Sequence, residues 1–278
     1  MANMLSTNQV EQYKQNGYLF PIDIYTQQEA YSLLQKLEIT EANFSANRIP
    51  PVFNLKTHLL APWLWEVVHH EKILNAVAAI LGPNLLCWGS GFFTKEPNNK
   101  TYAAWHQDIS YWGLSEPKTV TVWLALTDSM PENGCVRFYK KGLKHSLKHV
   151  DAHDFNNMLA GGEKIALDIE PHLCSDAILL PGQASFHDGH AIHGSNRNIS
   201  QKRRIGYVIR YISSDIQQVG GKRGSATMVK GDDFGFFDLE KKPNGEFLPE
   251  DIAYHNNIYK NWGRMISENS KHFKSQFK

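Results

Sequence analysis

Apolar residues recur at helical spacing through the first part of the chain. Ser6 and Thr26 are each followed three residues later by Gln or Glu, the pattern of a capping box that opens a helix. The run PWLWEVVHHEKILNAVAAIL, residues 62–81, continues this spacing and stops at Gly82-Pro83. We therefore predict that residues 1–84 are largely helical and that residues 62–81 form one helix.

The hydrophobic period changes at about Leu85. Short runs rich in β-branched and aromatic residues follow, bounded by Gly, Pro, Asn and Asp. These runs are LLCWGSGFFTKE, TVTVWLALTD, GCVRFY, AILLPG, ASFHDG and RIGYVIRYISS. Because no helical pattern separates most of them, an antiparallel double sheet is favoured over parallel βαβ units. The predicted fold is mainly β, a barrel or sandwich at residues 85–213, with flanking α-helices.

Residues 214–278 predict a loop followed by a closing helix. The loop is rich in Gly, Lys and Asp, with Gly220, Gly221 and Gly224, and long loops of this kind are often lids, although simple decoration is the alternative. The run YHNNIYKNWGRMI predicts the helix. Since no repeat, linker or low-complexity tract divides the chain, we predict one domain over all 278 residues.

Composition narrows the classes of partner. Lys and Arg total 29 against 28 Asp and Glu, so the chain offers no electrostatic footprint for nucleic acid or for an anionic membrane. The three cysteines are odd in number and widely spaced, which argues against a disulfide framework or a zinc knuckle. No leader or apolar span of about 18 residues is visible. We expect a cytoplasmic monomer or homodimer that acts on a small molecule.

Candidate chemistry begins at Trp105-His106-Gln107-Asp108. Residues i and i+2 of an extended strand point to one face, so His106 and Asp108 could hold one ion together. About 85 residues later, the run HDGHAIHGS offers three further histidines, at 187, 190 and 193. Any of them could complete the set of two histidines and one carboxylate that leaves open positions on Fe(II) for O2 and a 2-oxo acid.

A 2-oxo acid also needs an anchor for its far carboxylate, and the planar fork of arginine pairs with both carboxylate oxygens. Arg204 lies eleven residues after His193, at the start of RIGYVIRYI. A short turn through residues 196–201 would bring the next strand back beside His193, which favours this histidine over its neighbours. Arg203 is the alternative anchor, because a slip of one residue exchanges the faces of a strand.

Several ordered motifs now resemble one family. They are VEQYKQNGYLF, WHQDISYW, ENGC, LLPGQASFHDG, IHGSNRN and RRIGYVIRY. Together they resemble the phytanoyl-CoA dioxygenase family of Fe(II)/2-oxoglutarate-dependent oxygenases, in particular its bacterial small-metabolite branch.

The resemblance implies a double-stranded β-helix, a jelly-roll of the cupin-like kind, that uses Fe(II), 2-oxoglutarate and O2. It implies that His106, Asp108 and His193 are the metal ligands and the catalytic centre. It further implies that the co-substrate is bound by residues that match the family's pattern: Arg204, Ser195, Trp123 and Gln107.

The resemblance also implies an activity. The expected reaction hydroxylates or oxidatively modifies a small polar metabolite, such as an amino-acid-like compound, a phosphonate or a mycosporine-like natural-product intermediate, and releases succinate and CO2. Asp108 is present, where halogenating relatives have a small residue that leaves room for chloride. The segment KKGLKHS, residues 140–146, departs from the Pro-Gly-Ser-His turn of many relatives. The alternatives are a catalytically silent cupin-like module, an acyl-CoA hydroxylase and a zinc hydrolase.

Substrate contacts are the remaining candidates, each with a structural alternative. Tyr111 and Trp112 follow the first ligands closely enough to line a pocket or to belong to the core. Arg137 and Arg210 would meet an acidic substrate or pair with a structural carboxylate. His187 and His190 are substrate contacts or satisfied structural histidines, and His190 has the opposite strand parity to His187 and His193. His69-His70, on the predicted helix, is not expected to bind metal.

Overall fold

A computed structural model describes residues 4–47, 55–140, 145–151, 154–159, 163–219 and 223–275. The helices are α1 (Thr7–Asn16), α2 (Gln27–Asn47), α3 (Pro62–Val68), α4 (Glu71–Leu81) and α5 (Pro249–Ser275). Within these residues, none of the helices combines the length and the apolar character that crossing a membrane requires.

Strands make up the centre of the chain. They are β1 (Tyr18–Asp23), β2 (Leu85–Lys95), β3 (Ala103–His106), β4 (Thr119–Ala125), β5 (Val136–Tyr139), β6 (His149–Asp151), β7 (Glu163–Ile165), β8 (Cys174–Asp176), β9 (Gln183–His187), β10 (His193–Ser195), β11 (Arg204–Ser213), β12 (Ser225–Lys230) and β13 (Asp238–Leu239).

The predicted helix starts are confirmed, and one predicted helix is wrong. Ser6 and Thr26 each accept a hydrogen bond from the backbone three residues later, and the Gln9 and Glu29 side chains reach back to the cap. Residues 62–81, however, form α3 and α4 with a break at His69-His70. The His69 ring contacts the carbonyl of Trp65 at 2.8 Å and that of Met228 at 3.1 Å, so it is committed to backbone at this break.

Two sheets confirm the mainly β prediction. The larger has the order β1-β9-β4-β11-β2-β12-β13, and the smaller has the order β3-β10-β5-β8. Their pairings are antiparallel, except that β12 and β13 are parallel. Two predictions need correction, because β1 lies in the part expected to be helical and β12 lies in the part expected to be a loop. Each extends the larger sheet through backbone hydrogen bonds that a sequence period does not reveal.

Strand β11 separates the two sides of the larger sheet. Its odd-numbered residues from Ile205 to Tyr211 belong to the hydrophobic core with α3 and α4. Its residues Arg204, Val208 and Arg210 face a cavity between the two sheets. This division follows from the two-residue period of a strand and sets the position of the candidate site.

The link from β10 to β11 differs from the predicted hairpin. β10 pairs with β3 and β5 in the smaller sheet, whereas β11 pairs with β2 and β4 in the larger sheet. The Asn198 side chain donates hydrogen bonds to the carbonyls of Lys95 and Lys202, which fixes the turn. The chain therefore crosses between sheets, and His193 and Arg204 lie on opposite walls of the cavity.

A buried ion pair ties the N-terminal part to the last strands. Lys56 Nζ donates to Glu240 Oε1 at 2.5 Å, and both side chains are almost fully buried. Ser225 and Thr227 also donate to the Glu240 carboxylate. Burial alone would raise the pKa of Glu240, but the Lys56 charge and His58 lower it from 4.5 to about 2.

We expect Glu240→Gln to destabilise the fold by about 3–5 kcal/mol, because it leaves the buried Lys56 ammonium without a counter-charge. Since the folded-state pKa of Glu240 is lowered, its stabilisation is present above about pH 4.5 and is lost as the pH falls towards 2. Urea unfolding between pH 7 and pH 3 measures both effects, and the difference from wild type narrows at low pH. Adding Lys56→Met is the control, and a double variant no more stable than Glu240→Gln alone would refute the pairing.

Candidate active site

Three side chains from the smaller sheet and its edge converge on one point. His106 ends β3, Asp108 starts the short 3-10 helix that follows, and His193 begins β10 directly opposite His106. One ligand atom from each of the three lies within 4.8 Å of the other two. Gln107 between them has extended backbone, so His106 and Asp108 share a face as the sequence predicts.

Both histidines are oriented through their backbone neighbours. The Nδ1 atom of His106 lies 2.8 Å from the Ala104 carbonyl, and that of His193 lies 2.9 Å from the Ala191 carbonyl. A carbonyl can only accept, so each Nδ1 carries the proton and each Nε2 keeps its lone pair. This is the tautomer that a metal ion requires.

The charge states also suit a metal ion. Burial would raise the pKa of Asp108, but the neighbouring imidazoles of His106 and His187 hold it well below its ordinary value. Burial, together with the neighbouring His106, places the pKa of His193 well below its ordinary value. Thr121 donates to Asp108 Oδ2 at 2.9 Å and holds the carboxylate in place. A carboxylate and two neutral imidazoles therefore face the cavity, and this donor set fits Fe(II).

The opposite wall of the cavity is cationic. Arg204 is 1% exposed, and its only hydrogen bonds among the described residues go to the carbonyls of Gly134 (2.6 Å) and Phe93 (3.4 Å). Its Nε is buried without a partner, and its guanidinium lies 5.1 Å from the ring centre of Trp123. Burial lowers the pKa of Arg204 to about 10, which still leaves it charged at neutral pH. Such an unpaired buried cation fits a carboxylate ligand.

Lys95 lies beside this wall and was not foreseen from the sequence. Its Nζ donates to Ser195 Oγ at 2.6 Å and also to the carbonyl of Asn196. Burial and the charge of Arg204 lower the pKa of Lys95 to about 6. Lys95 therefore fixes the Ser195 hydroxyl at the cavity edge.

The cavity between these walls has a volume of about 70 Å³. Its lining includes eight of the residues that the sequence offers as candidates: His106, Asp108, Trp123, His187, His193, Ser195, Arg204 and Arg210. Met158 and Leu159 also line it. The sequence candidates therefore lie on both walls of the cavity.

Comparison with known proteins decides the family. Residues 13–206 match the model of the phytanoyl-CoA dioxygenase family. The chain belongs to this family. The resemblance found in the sequence motifs is thereby confirmed.

Relatives within and around the phytanoyl-CoA dioxygenase family carry several activities. The chain is 25% identical over 251 residues to an ectoine dioxygenase of Bordetella parapertussis, covering 77% of each protein. It is 22% identical to a methylphosphonate hydroxylase of Gimesia maris, covering 76% of this chain and 82% of that protein. The solved structure of a non-heme monooxygenase, ThoJ, is 30% identical, covers 95% of this chain and 99% of that one, and superposes with a TM-score of 0.84.

This member of the phytanoyl-CoA dioxygenase family is a non-heme iron, 2-oxoglutarate-dependent dioxygenase. Its cofactors are Fe(II), 2-oxoglutarate and O2, and the donor set of the cavity is compatible with the iron. Its substrate is a small molecule.

Two of the candidate residues, Gln107 and His190, lie outside the cavity lining. Gln107 Nε2 donates to the carbonyls of His145 and His190, and its Oε1 accepts from the Leu147 backbone. The hydrogen bonds of the Gln107 side chain are thus made to backbone. His190 Nδ1 lies 3.5 Å from the carboxylate of Asp188.

Two of the arginine candidates, Arg203 and Arg137, are engaged in ion pairs outside the cavity. Arg203 donates to both carboxylate oxygens of Glu41 and to Glu96, away from the cavity. Arg137 pairs with Asp176 at 2.7 Å, the structural role that the sequence left open. The sequence could not choose between these roles because the partners come from other strands and helices.

Trp112 does not line the cavity. Trp112 stacks on Trp88, with ring centres 4.9 Å apart, in a separate hydrophobic cluster. The predicted role of Tyr111 rests on a side chain outside the described residues. Gly220 and Gly221 of the predicted lid, and residues 141–144 of KKGLKHS, also lie outside the described residues.

One glycine is required by the cavity wall. A Cβ at Gly206 would lie 2.0 Å from Trp123 Cζ2, so Trp123 lies across the bare backbone of β11. At Gly89, on the adjacent strand, an added Cβ would meet only Leu55 Cδ1 at an ordinary 3.7 Å.

We expect Gly206→Ala to lower the free energy of unfolding by about 1–3 kcal/mol, because Trp123 must move out of its packed position. Gly89→Ala is the matched control and leaves stability unchanged or slightly raised, since alanine costs less chain entropy there. Urea unfolding with tryptophan fluorescence measures both variants. Equal stability of the two would contradict the packing argument.

Proposed function

We propose that His106, Asp108 and His193 hold the catalytic Fe(II). The observation that carries this proposal is the convergence of their three ligand atoms, with both imidazoles locked into the Nδ1-protonated tautomer. Two nitrogens and one carboxylate occupy one side of an ion and leave the other side open, which a fully ligated structural site would not do.

We propose that Arg204 anchors the distal carboxylate of 2-oxoglutarate. The support is its burial without a counter-charge, its free Nε, and its place across the cavity from the three ligands. Ser195, held by Lys95, and Trp123, stacked on the guanidinium, would line the same subsite. For Gln107 we propose a positioning role, because its side chain holds the segment at 145–147 against β3.

When bound, Fe(II) with 2-oxoglutarate and O2 supplies the oxidation of a C–H bond, with one oxygen atom going to the product and one to succinate as CO2 leaves. The chain's own residues keep the ligands in the required charge states and exclude bulk water from the cavity. Thr121 holds the Asp108 carboxylate, and the backbone carbonyls hold the two imidazole rings.

The proposed substrate is a small polar metabolite. The support is the limited volume of the cavity and the names of the relatives, one an ectoine dioxygenase and another a methylphosphonate hydroxylase. The retained Asp108 fits hydroxylation or another oxidation. A natural-product intermediate belongs to the same class of substrate, and an acyl-CoA is the competing substrate to be tested.

We also propose that the two sheets form a double-stranded β-helix within a single domain spanning residues 1–278. The support is the packing of Trp123 and Val208 from the larger sheet against Val136 and Phe138 from the smaller one. The Lys56–Glu240 pair supports the single domain, because it joins the N-terminal part to the end of the larger sheet.

Succinate formation tests the reaction. We expect anaerobically purified protein, given Fe(II), 2-oxoglutarate and O2, to release succinate, and one small polar candidate such as ectoine or methylphosphonate to raise the rate. Asp108→Ala removes an iron ligand and lowers the rate by about 100-fold or more. His190→Ala is the control, because it removes a histidine near His193 in the chain that lies outside the cavity lining.

A rate that is equally low for both variants would contradict a specific role of Asp108, because His190 lies outside the cavity lining. Succinate release that depends on an acyl-CoA, and on none of the small metabolites, would reassign the substrate. Confirmed Fe(II) binding without any succinate would favour a silent binding module.

Arg204 and Arg203 provide an adjacent pair for testing the co-substrate anchor. We expect Arg204→Gln to weaken 2-oxoglutarate binding by about 100-fold, because a buried charge-assisted hydrogen bond is lost. Arg203→Gln removes two partly exposed ion pairs and leaves the Kd for 2-oxoglutarate within about twofold of wild type. Calorimetric titration with Ni(II) in place of iron measures both, and a stronger effect at Arg203 would overturn the assignment.

A further inference from the structure

A second arginine, Arg210, faces the cavity and is not needed for the co-substrate anchor. It lies six residues after Arg204 on β11, so both side chains leave the same face of the strand. Among the residues that the structure describes, Arg210 makes no hydrogen bond and no ion pair. Its contacts are with two rings, Phe93 at 5.7 Å and Trp112 at 5.9 Å. The cavity therefore contains a guanidinium whose donors are unused.

The position of Arg210 is fixed by the surrounding fold. β11 stays in regular register with β4, where Arg210 lies opposite Thr121, and the extra residue of the shift between β11 and β2 is Trp88 on β2. Trp112, which flanks the guanidinium, is itself held by stacking on Trp88. Phe93 and Trp112 therefore restrict the position of the guanidinium.

His187 lies in the same wall, with its Nδ1 unpartnered among the described residues and its Nε2 facing Asp108. It is 2% exposed, and neither ring nitrogen has a hydrogen-bond partner among the described residues. Its Nε2 lies 3.5 Å from Asp108 Oδ2. A buried polar group is normally satisfied, so the unpartnered Nδ1 of His187, in the same wall as the half-buried and unpaired guanidinium of Arg210, indicates a polar ligand at this wall.

Charge balance indicates the sign of that ligand. One carboxylate of 2-oxoglutarate neutralises Arg204, and its second carboxylate together with Asp108 neutralises a divalent iron. The cation of Arg210 is then left without a counter-charge. The charges of Asp108 and Arg210 interact electrostatically, but the two residues make no ion pair within the described part of the chain, and Asp108 is committed to the triad.

We propose that Arg210, assisted by His187, binds an oxyanion head group of the substrate, a carboxylate or a phosphonate. This assignment rests on the proposed function, since it places the head group beside the candidate iron site. It makes the enzyme selective for small anionic metabolites over neutral ones of the same size. Arg210 is then the residue that determines substrate class, and Arg204 is the residue that binds the co-substrate.

Fragment binding to the inert Ni(II) and 2-oxoglutarate complex tests this assignment without turnover. The probes are methylphosphonate, acetate and the neutral acetamide, titrated by calorimetry. Wild type is expected to bind at least one oxyanion saturably and acetamide about 10-fold more weakly or not at all. The relative Kd values of the two oxyanions distinguish a phosphonate from a carboxylate head group.

Variants of Arg210 test whether this residue binds the oxyanion or only supports the structure of the site. Arg210→Gln is expected to lose about 10-fold or more in oxyanion affinity, with Arg210→Lys recovering part of it. Its affinities for Ni(II) and 2-oxoglutarate stay within about threefold of wild type. Arg137→Gln is the matched control, because Arg137 is a strand arginine that pairs with Asp176 outside the cavity.

Three results overturn the assignment: no oxyanion binding by wild type, unchanged oxyanion binding by Arg210→Gln, or equal losses for oxyanion, metal and 2-oxoglutarate in that variant. Failure of the proposed function has a different signature. In that case wild type binds neither Ni(II) nor 2-oxoglutarate.

Discussion

The two-residue period of strand β11 is the constraint on which the site depends. One face of the strand supplies Ile205, Tyr207, Ile209 and Tyr211 to the core beneath the helices. The other face supplies Arg204, Val208 and Arg210 to the cavity. Because the apolar face is buried by packing, a register slip would expose it, so core packing also fixes which arginines reach the cavity. Gly206 on the cavity face leaves the space that Trp123 fills.

Charge placement follows from this geometry. The candidate metal ligands come from the smaller sheet and its edge, while the cations come from the larger sheet. Because the two residues lie on different sheets, Arg204 does not pair with Asp108, and both charges stay available for ligands. Elsewhere the fold does pair buried charges, as in Lys56 with Glu240. In the part of the chain that the structure describes, Arg204 and Arg210 lie without an ion-pair partner on the wall where a ligand can supply the counter-charge.

Sequence predicted those features that depend on local period and spacing. The spacing of His106 and Asp108, the parity of His187 and His193, and the choice of Arg204 over Arg203 agree with the positions in the structure. Features that depend on strand order could not be predicted from the sequence. The crossover from β10 to β11 joins strands of different sheets. The addition of β1 and β12 to the larger sheet and the approach of Lys95 to Ser195 join segments about 100 residues apart or more. The break at His69 also depends on a distant carbonyl, that of Met228.

Membership of a motif does not by itself make a residue a ligand contact. Gln107 lies between two candidate ligands, yet strand alternation turns it away from the cavity, where it bonds the backbone of His145, Leu147 and His190. Those bonds hold the loop after β5 and the segment before β10 against β3, so they keep His106 and His193 opposite one another. In the proposed site, Gln107 therefore acts through the rigidity of the two candidate histidine ligands rather than through contact with the co-substrate.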